Sequence, residues 1–159
     1  MAKTVTYYGP PQTITITLAS LANDAMRVSA QYANTAPYVE EGVLTVALKT
    51  HTTGPVAGSY DVWLIAGFGD GTVVEDDMGV ADALATTTWL RSGRLLKRFD
   101  HSVFAPGVSK VLRSVIKLTD LTTYFSILVH NNASGQILNA SGHEIKFQPK
   151  LTATLPTLI

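Results

Sequence analysis

The side chains that could act on a substrate are few, and four histidines come first among them. Asp100 directly precedes His101, and a histidine next to a carboxylate is the raw material of a general base. Adjacent residues of an extended chain face opposite ways, however, and the surrounding residues mark no partner nucleophile. His51, His130 and His143 lack metal-ligand spacing and fall at predicted strand ends or loops, the ordinary place for a solvated or capping histidine. The expectation is a protein with no catalytic residue, metal or cofactor, and not an enzyme.

Asp70, Glu75, Asp76, Asp77 and Asp82 have the oxygen ligands that calcium takes, but not the alternating order of a calcium loop, so they read as a solvated turn. Gly67-x-Gly69-x-Gly71 is no phosphate cradle, because Thr72-Val73-Val74 continues as β where a helix would have to begin. It predicts a hairpin turn with a returning strand over 72–75. Arg91, Arg94, Lys97 and Arg98, flanked by Trp89 and Phe99, form the one basic cluster. Such interleaving can hold single-stranded nucleic acid. Zero net charge favours salt bridges instead, to an acidic surface such as residues 75–77 of another copy. Trp89, Tyr60 and the Tyr7-Tyr8 pair are candidate sugar-stacking platforms, whereas Trp63, inside an apolar strand, is predicted core. The sequons at Asn132 and Asn139 carry no weight without a secretory route.

The elements that must position these residues are predicted to be strands. Residues 13–18 alternate threonine with isoleucine or leucine, the pattern of a half-buried strand. Residues 42–50 and 60–68 are β-branched and aromatic runs that read as neighbouring strands joined by the loop 51–59. Helix competes only over 78–87, where alanine, leucine and methionine are good formers and Asp82 suits an early turn. Three more strands are expected within 94–104, 108–118 and 121–130, then a turn over 131–135. A short last strand over 144–147 is expected to stop at Pro149. This succession, with no alternation of strand and helix, predicts an all-β fold, an antiparallel β-sandwich of jelly-roll type.

At 159 residues the chain fits one domain. We divide it into an N-terminal arm (1–12), a β domain (13–149) and a C-terminal arm (150–159) that ends Leu155-Pro156-Thr157-Leu158-Ile159. Twelve basic and twelve acidic side chains cancel, so no long-range field gathers phosphates or anionic lipid, and neither nucleic acid nor membrane is expected as a partner. Charged residues make up only 15%, which leaves little repulsion between copies and favours association. The absence of cysteine excludes a disulfide framework and a thiolate site. The start of the chain lacks a secretory pattern, and no apolar run approaches the roughly 20 residues of a membrane helix, so the cytosol is the expected place of synthesis.

Several stretches together resemble small structural proteins of tailed-bacteriophage virions. They are Ile14-Thr15-Ile16-Thr17-Leu18-Ala19-Ser20-Leu21-Ala22 followed by Arg27-Val28-Ser29, then Leu44-Thr45-Val46-Ala47-Leu48-Lys49-Thr50. The Gly69-Asp70-Gly71 turn after Tyr60-Asp61-Val62-Trp63-Leu64 and the run from Phe125 through His130 to Gly135 complete them. The resemblance implies a virion protein, assembled in the host cytoplasm and present in many symmetric copies, that decorates or cements the capsid. A tail or adaptor position is the alternative it leaves, and the carbohydrate-binding module is the alternative from the aromatics. Implied partners are the major capsid protein or other virion proteins, and further copies of itself, a trimer being one arrangement. Tyr7, Tyr8, Trp89, Arg91, Arg94, Arg98, Leu155, Leu158 and Ile159 are the candidate partner-binding residues.

Overall fold

The computed structural model describes residues 3–34, 38–67, 82–85, 93–101 and 108–155. Its strands are β1 (Lys3–Tyr8), β2 (Gln12–Thr13), β3 (Met26–Val28), β4 (Tyr32–Ala33), β5 (Gly42–Lys49) and β6 (Ser59–Gly67). They continue with β7 (Ala83–Ala85), β8 (Gly93–Asp100), β9 (Val111–Leu118), β10 (Tyr124–Asn132) and β11 (Glu144–Leu155). Every pairing is antiparallel, and the strands form two sheets. One runs β1-β11-β5-β9, with β2 also on β11; the other runs β7-β3-β10-β6-β8, with β4 also on β10. The all-β, two-sheet architecture expected from the sequence is the one found.

Period-two alternation builds the core. On β5, Leu44, Val46 and Leu48 point inward while Val43, Thr45 and Lys49 are less buried. Ile145 and Phe147 of β11 join them, and Tyr60, Val62, Leu64, Phe125, Ile127 and Val129 of the second sheet close on them in one apolar cluster. The partly buried Tyr32 packs on this cluster against Phe125 and Phe147, with the three ring centroids 4.9 to 5.2 Å apart. Trp63 lies in a smaller cluster with Met26, Ile65, Leu128 and Ala85.

Four sequence expectations give way. Residues 13–18 form a ladder only at their start, because they pass between the sheets. Ile14 N–H donates to Ile145 of the first sheet at 2.9 Å, while Thr17 N–H goes to the Asp82 carboxylate beside β7 at 2.7 Å. Alternation still buries Ile14 and Leu18. The runs 42–50 and 60–68 are not paired neighbours: β5 and β6 lie in different sheets. Residues 83–85 pair with β3 as a strand, pairing that overrides their helix propensity; 78–81 and 86–87 lie outside the described residues, as do the 67–71 turn beyond Gly67 and the 72–75 strand.

Pro149, finally, does not end β11. Its carbonyl accepts from Gly9 N–H at 2.8 Å, so its own missing N–H would face Gly9, in the break between β1 and β2 that holds Pro10 and Pro11. The ladder therefore loses one donor and continues, with β1 pairing Lys150–Leu155. The two terminal segments are thus strands paired with each other.

Candidate functional site

Beyond Pro149, β11 outruns β5, which begins at Gly42. Lys3–Tyr8 and Lys150–Leu155 form a two-stranded ribbon that continues past the end of β5. Tyr7 and Tyr8 lie on it, about half exposed at 48% and 54%, and Leu155 ends it opposite Lys3. Arg94 and Arg98 sit in the other sheet on β8, so the candidate residues divide between two places. Trp89, Arg91, Leu158 and Ile159 lie outside the described residues.

Where the ribbon leaves the body, a cleft of about 420 Å³ opens, lined by Tyr7, Leu151 and Thr152 of the ribbon and by Tyr38, Glu40 and Glu41 of the approach to β5. Tyr38 is half exposed, and its hydroxyl donates to the Leu121 carbonyl, which fixes the ring. Glu41 accepts from Lys150 Nζ at 2.7 Å and lies 3.6 Å from Lys117 Nζ. The hydrogen bond from Lys150 and the charge of Lys117 hold the Glu41 carboxyl below its usual range. Sequence reasoning missed Tyr38 and Glu41. Their partners are 83 and 109 residues away, and no local pattern announces such a pair.

On the second sheet, Arg98 grips Asp61 with both arms of its guanidinium, Nε to Oδ1 at 2.8 Å and an Nη to Oδ2 at 2.7 Å. Ser59 Oγ adds a bond at 2.9 Å and Asn132 Nδ2 one at 3.4 Å. Asp61 is 1% exposed. Burial alone raises its carboxyl, but Arg98, Ser59 and Asn132 outweigh burial and hold it below the usual range. Arg98, expected to meet acidic residues of another copy, is engaged within its own chain. The cause is β6–β8 register, which sets Asp61 opposite Arg98. Arg94 reaches the Thr119 carbonyl at 2.9 Å, with Asp120 at 3.7 Å.

The residues first considered for chemistry are dispersed. His101 Nδ1 is 3.9 Å from Asp100 at the exposed end of β8. Asp82 is bonded by Arg27 Nε at 2.5 Å and by Thr17 N–H. Residues 70 and 75–77 lie outside the described residues, and among the described ones no three His, Asp or Glu side chains are grouped to hold a metal. His143 Nδ1 accepts from Lys49 N–H at 3.1 Å and its Nε2 faces the Asn139 carbonyl at 2.7 Å, a structural bridge between loop and strand.

Fold and surface together define an all-β protein of two antiparallel sheets bearing a projecting ribbon. The sequence matches no protein-family model and no curated protein.

Proposed function

We propose that this chain is a non-enzymatic structural protein of a tailed-phage particle, decorating or cementing the capsid through repeated protein contacts. The ribbon carries the reading. It is a two-stranded β element, uncharged from Thr4 to Tyr8 and from Leu151 to Leu155, that extends past β5 with backbone edges that no strand pairs among the described residues, which suits strand addition. A cement protein needs no reactive group: by binding the assembled lattice and not its parts, each copy stabilises the assembly by mass action. The low charge content of the sequence agrees with dense packing of copies. The test is a pull-down of the purified chain with assembled capsids and, separately, tails of its source particle. Saturable capsid capture is the expected result; capture by tails alone moves the protein to the tail or adaptor, and capture by neither removes the reading.

One observation favours a second reading, a carbohydrate-binding module. Tyr7 and Tyr38, each about half exposed, line the same cleft as Glu40 and Glu41, and tyrosine beside carboxylate is the pairing of stacking platform and hydroxyl partner that sugars require. A glycan array tests it, with Tyr38→Ala as the control, and an array without hits eliminates it.

A further inference from the structure

Lys150 N–H donates to the Glu41 carbonyl at 2.9 Å, which aims the backbone groups of Lys150 toward the side occupied by β5. With a period of two, Thr152 and Thr154 aim the same way, where no strand pairs with them among the described residues. On β1, Gly9 N–H points at Pro149, so Tyr7 and Val5 also face β11 while Tyr8, Thr6 and Thr4 direct their N–H and C=O groups outward. Among the described residues the ribbon therefore has two open edges, one on each strand. Its faces differ as well: Val5, Leu151 and Ala153 are partly buried on one, and Thr4, Thr6, Thr152 and Thr154 are exposed on the other.

Natural sheets blunt their edges with charge, brevity or proline. The remaining edges here follow that rule, since β7 has three residues, β8 carries Arg94, Lys97 and Arg98, and β9 carries Arg113 and Lys117. The ribbon edges do not. A two-stranded ribbon is also marginal by itself and gains from further strands.

We propose that copies of this chain join head to tail through the ribbon, the outer edge of β1 in one copy pairing antiparallel with the open edge of Leu151–Leu155 in the next. The second copy fits as the occupant because the chain itself presents what each edge lacks: an uncharged strand of matching length and opposite direction. Pairing β1 with β1 across a two-fold axis would leave the β11 edge open, whereas head-to-tail pairing uses both edges and, where the rotation between copies closes, forms a ring with neither edge exposed. The partly apolar face of Val5, Leu151 and Ala153 then turns inward and the threonines face water. This contact supplies the repeated self-association that the structural role calls for and rests on that reading for its purpose. Self-association is read on the purified chain and capsid capture on particles, so the two can fail separately.

The experiment combines sedimentation velocity over a wide concentration range with crosslinking. Thr6→Pro and Thr152→Pro each remove an outward N–H that no described strand uses, which an open edge tolerates. Wild type is expected to form a closed oligomer, and each proline variant to keep its circular dichroism while associating at least about tenfold more weakly, the effect of one or two lost hydrogen bonds. Because the chain has no cysteine, Thr6→Cys and Thr152→Cys proteins can be mixed with a short thiol crosslinker. Crosslinks between the two variants support the proposal. A wild type that stays monomeric, or crosslinks formed by Thr6→Cys alone as readily as by the mixture, would overturn it.

Discussion

Gln148 Nε2 donates to the carbonyl of Gly9 at 3.3 Å, standing in for the N–H that Pro149 lacks at the same place in the ladder. The side chain of one residue thus covers a backbone donor missing from the next, at the hinge between sandwich and ribbon. Gln148→Ala should lower stability by about 0.5–1.5 kcal/mol, the net worth of one hydrogen bond. In a Pro149→Ala background the restored amide takes over, and the same change should have little effect. Urea denaturation of the four proteins of this cycle measures the coupling.

Phe147 anchors the first sheet against Phe125 of the second, with ring centroids 5.2 Å apart at 75°. Phe147→Ala should cost about 3–5 kcal/mol in cavity and transfer terms. Gly42 lies directly under the same ring, and a Cβ there would sit 2.2 Å from Phe147 Cε2. Gly42→Ala should therefore cost about 1–3 kcal/mol by overpacking, and thermal unfolding reads both.

The sandwich was legible because its strands are written locally: 42–49 shows period-two burial, and 59–67 is a β-branched and aromatic run buried almost throughout. What was not legible depends on partners distant in sequence. Residues 13–18 carry a strand pattern yet divide their backbone bonds between two sheets, and residues 83–85 take strand geometry from β3. Pro149 reads as a stop until the break between β1 and β2 at residues 9–11 is placed beside it. Of the candidate site, Tyr7 and Tyr8 were identified by type; the cleft that Tyr7 lines was not, since Tyr38 and Glu41 join it only through folding.

The Asp61–Arg98 pair sets a further expectation. Arg98→Met leaves a carboxylate 1% exposed without its counter-charge, at a cost of about 2–3 kcal/mol, below the fully buried range because the Arg98 side chain is half exposed and water can enter. Adding Asp61→Asn to that variant should recover most of the loss. Chemical denaturation at neutral pH measures both.

Acid should destabilise the protein in two stages. Burial holds His130 and His143 below the ordinary value of 6.5. For His143 the Lys49 N–H at Nδ1 also opposes a second ring proton. The unfolded chain therefore binds protons that the folded chain refuses, and the stability present above pH 6.5 declines as pH falls below it. Asp61 and Asp82, both held below 3.8, add a second decline under that value. His143→Asn keeps an acceptor at the Nδ1 position for Lys49 and should reduce the first stage to the share of His130 while leaving the second, as read by urea midpoints across pH.

The central claim concerns binding to an assembled particle, and the temperature at which capsids of the source particle fall apart tests it most directly. Saturating wild-type protein should raise that temperature, and Thr6→Pro protein should raise it less. A disassembly temperature unchanged by saturating wild-type protein would contradict the cementing role.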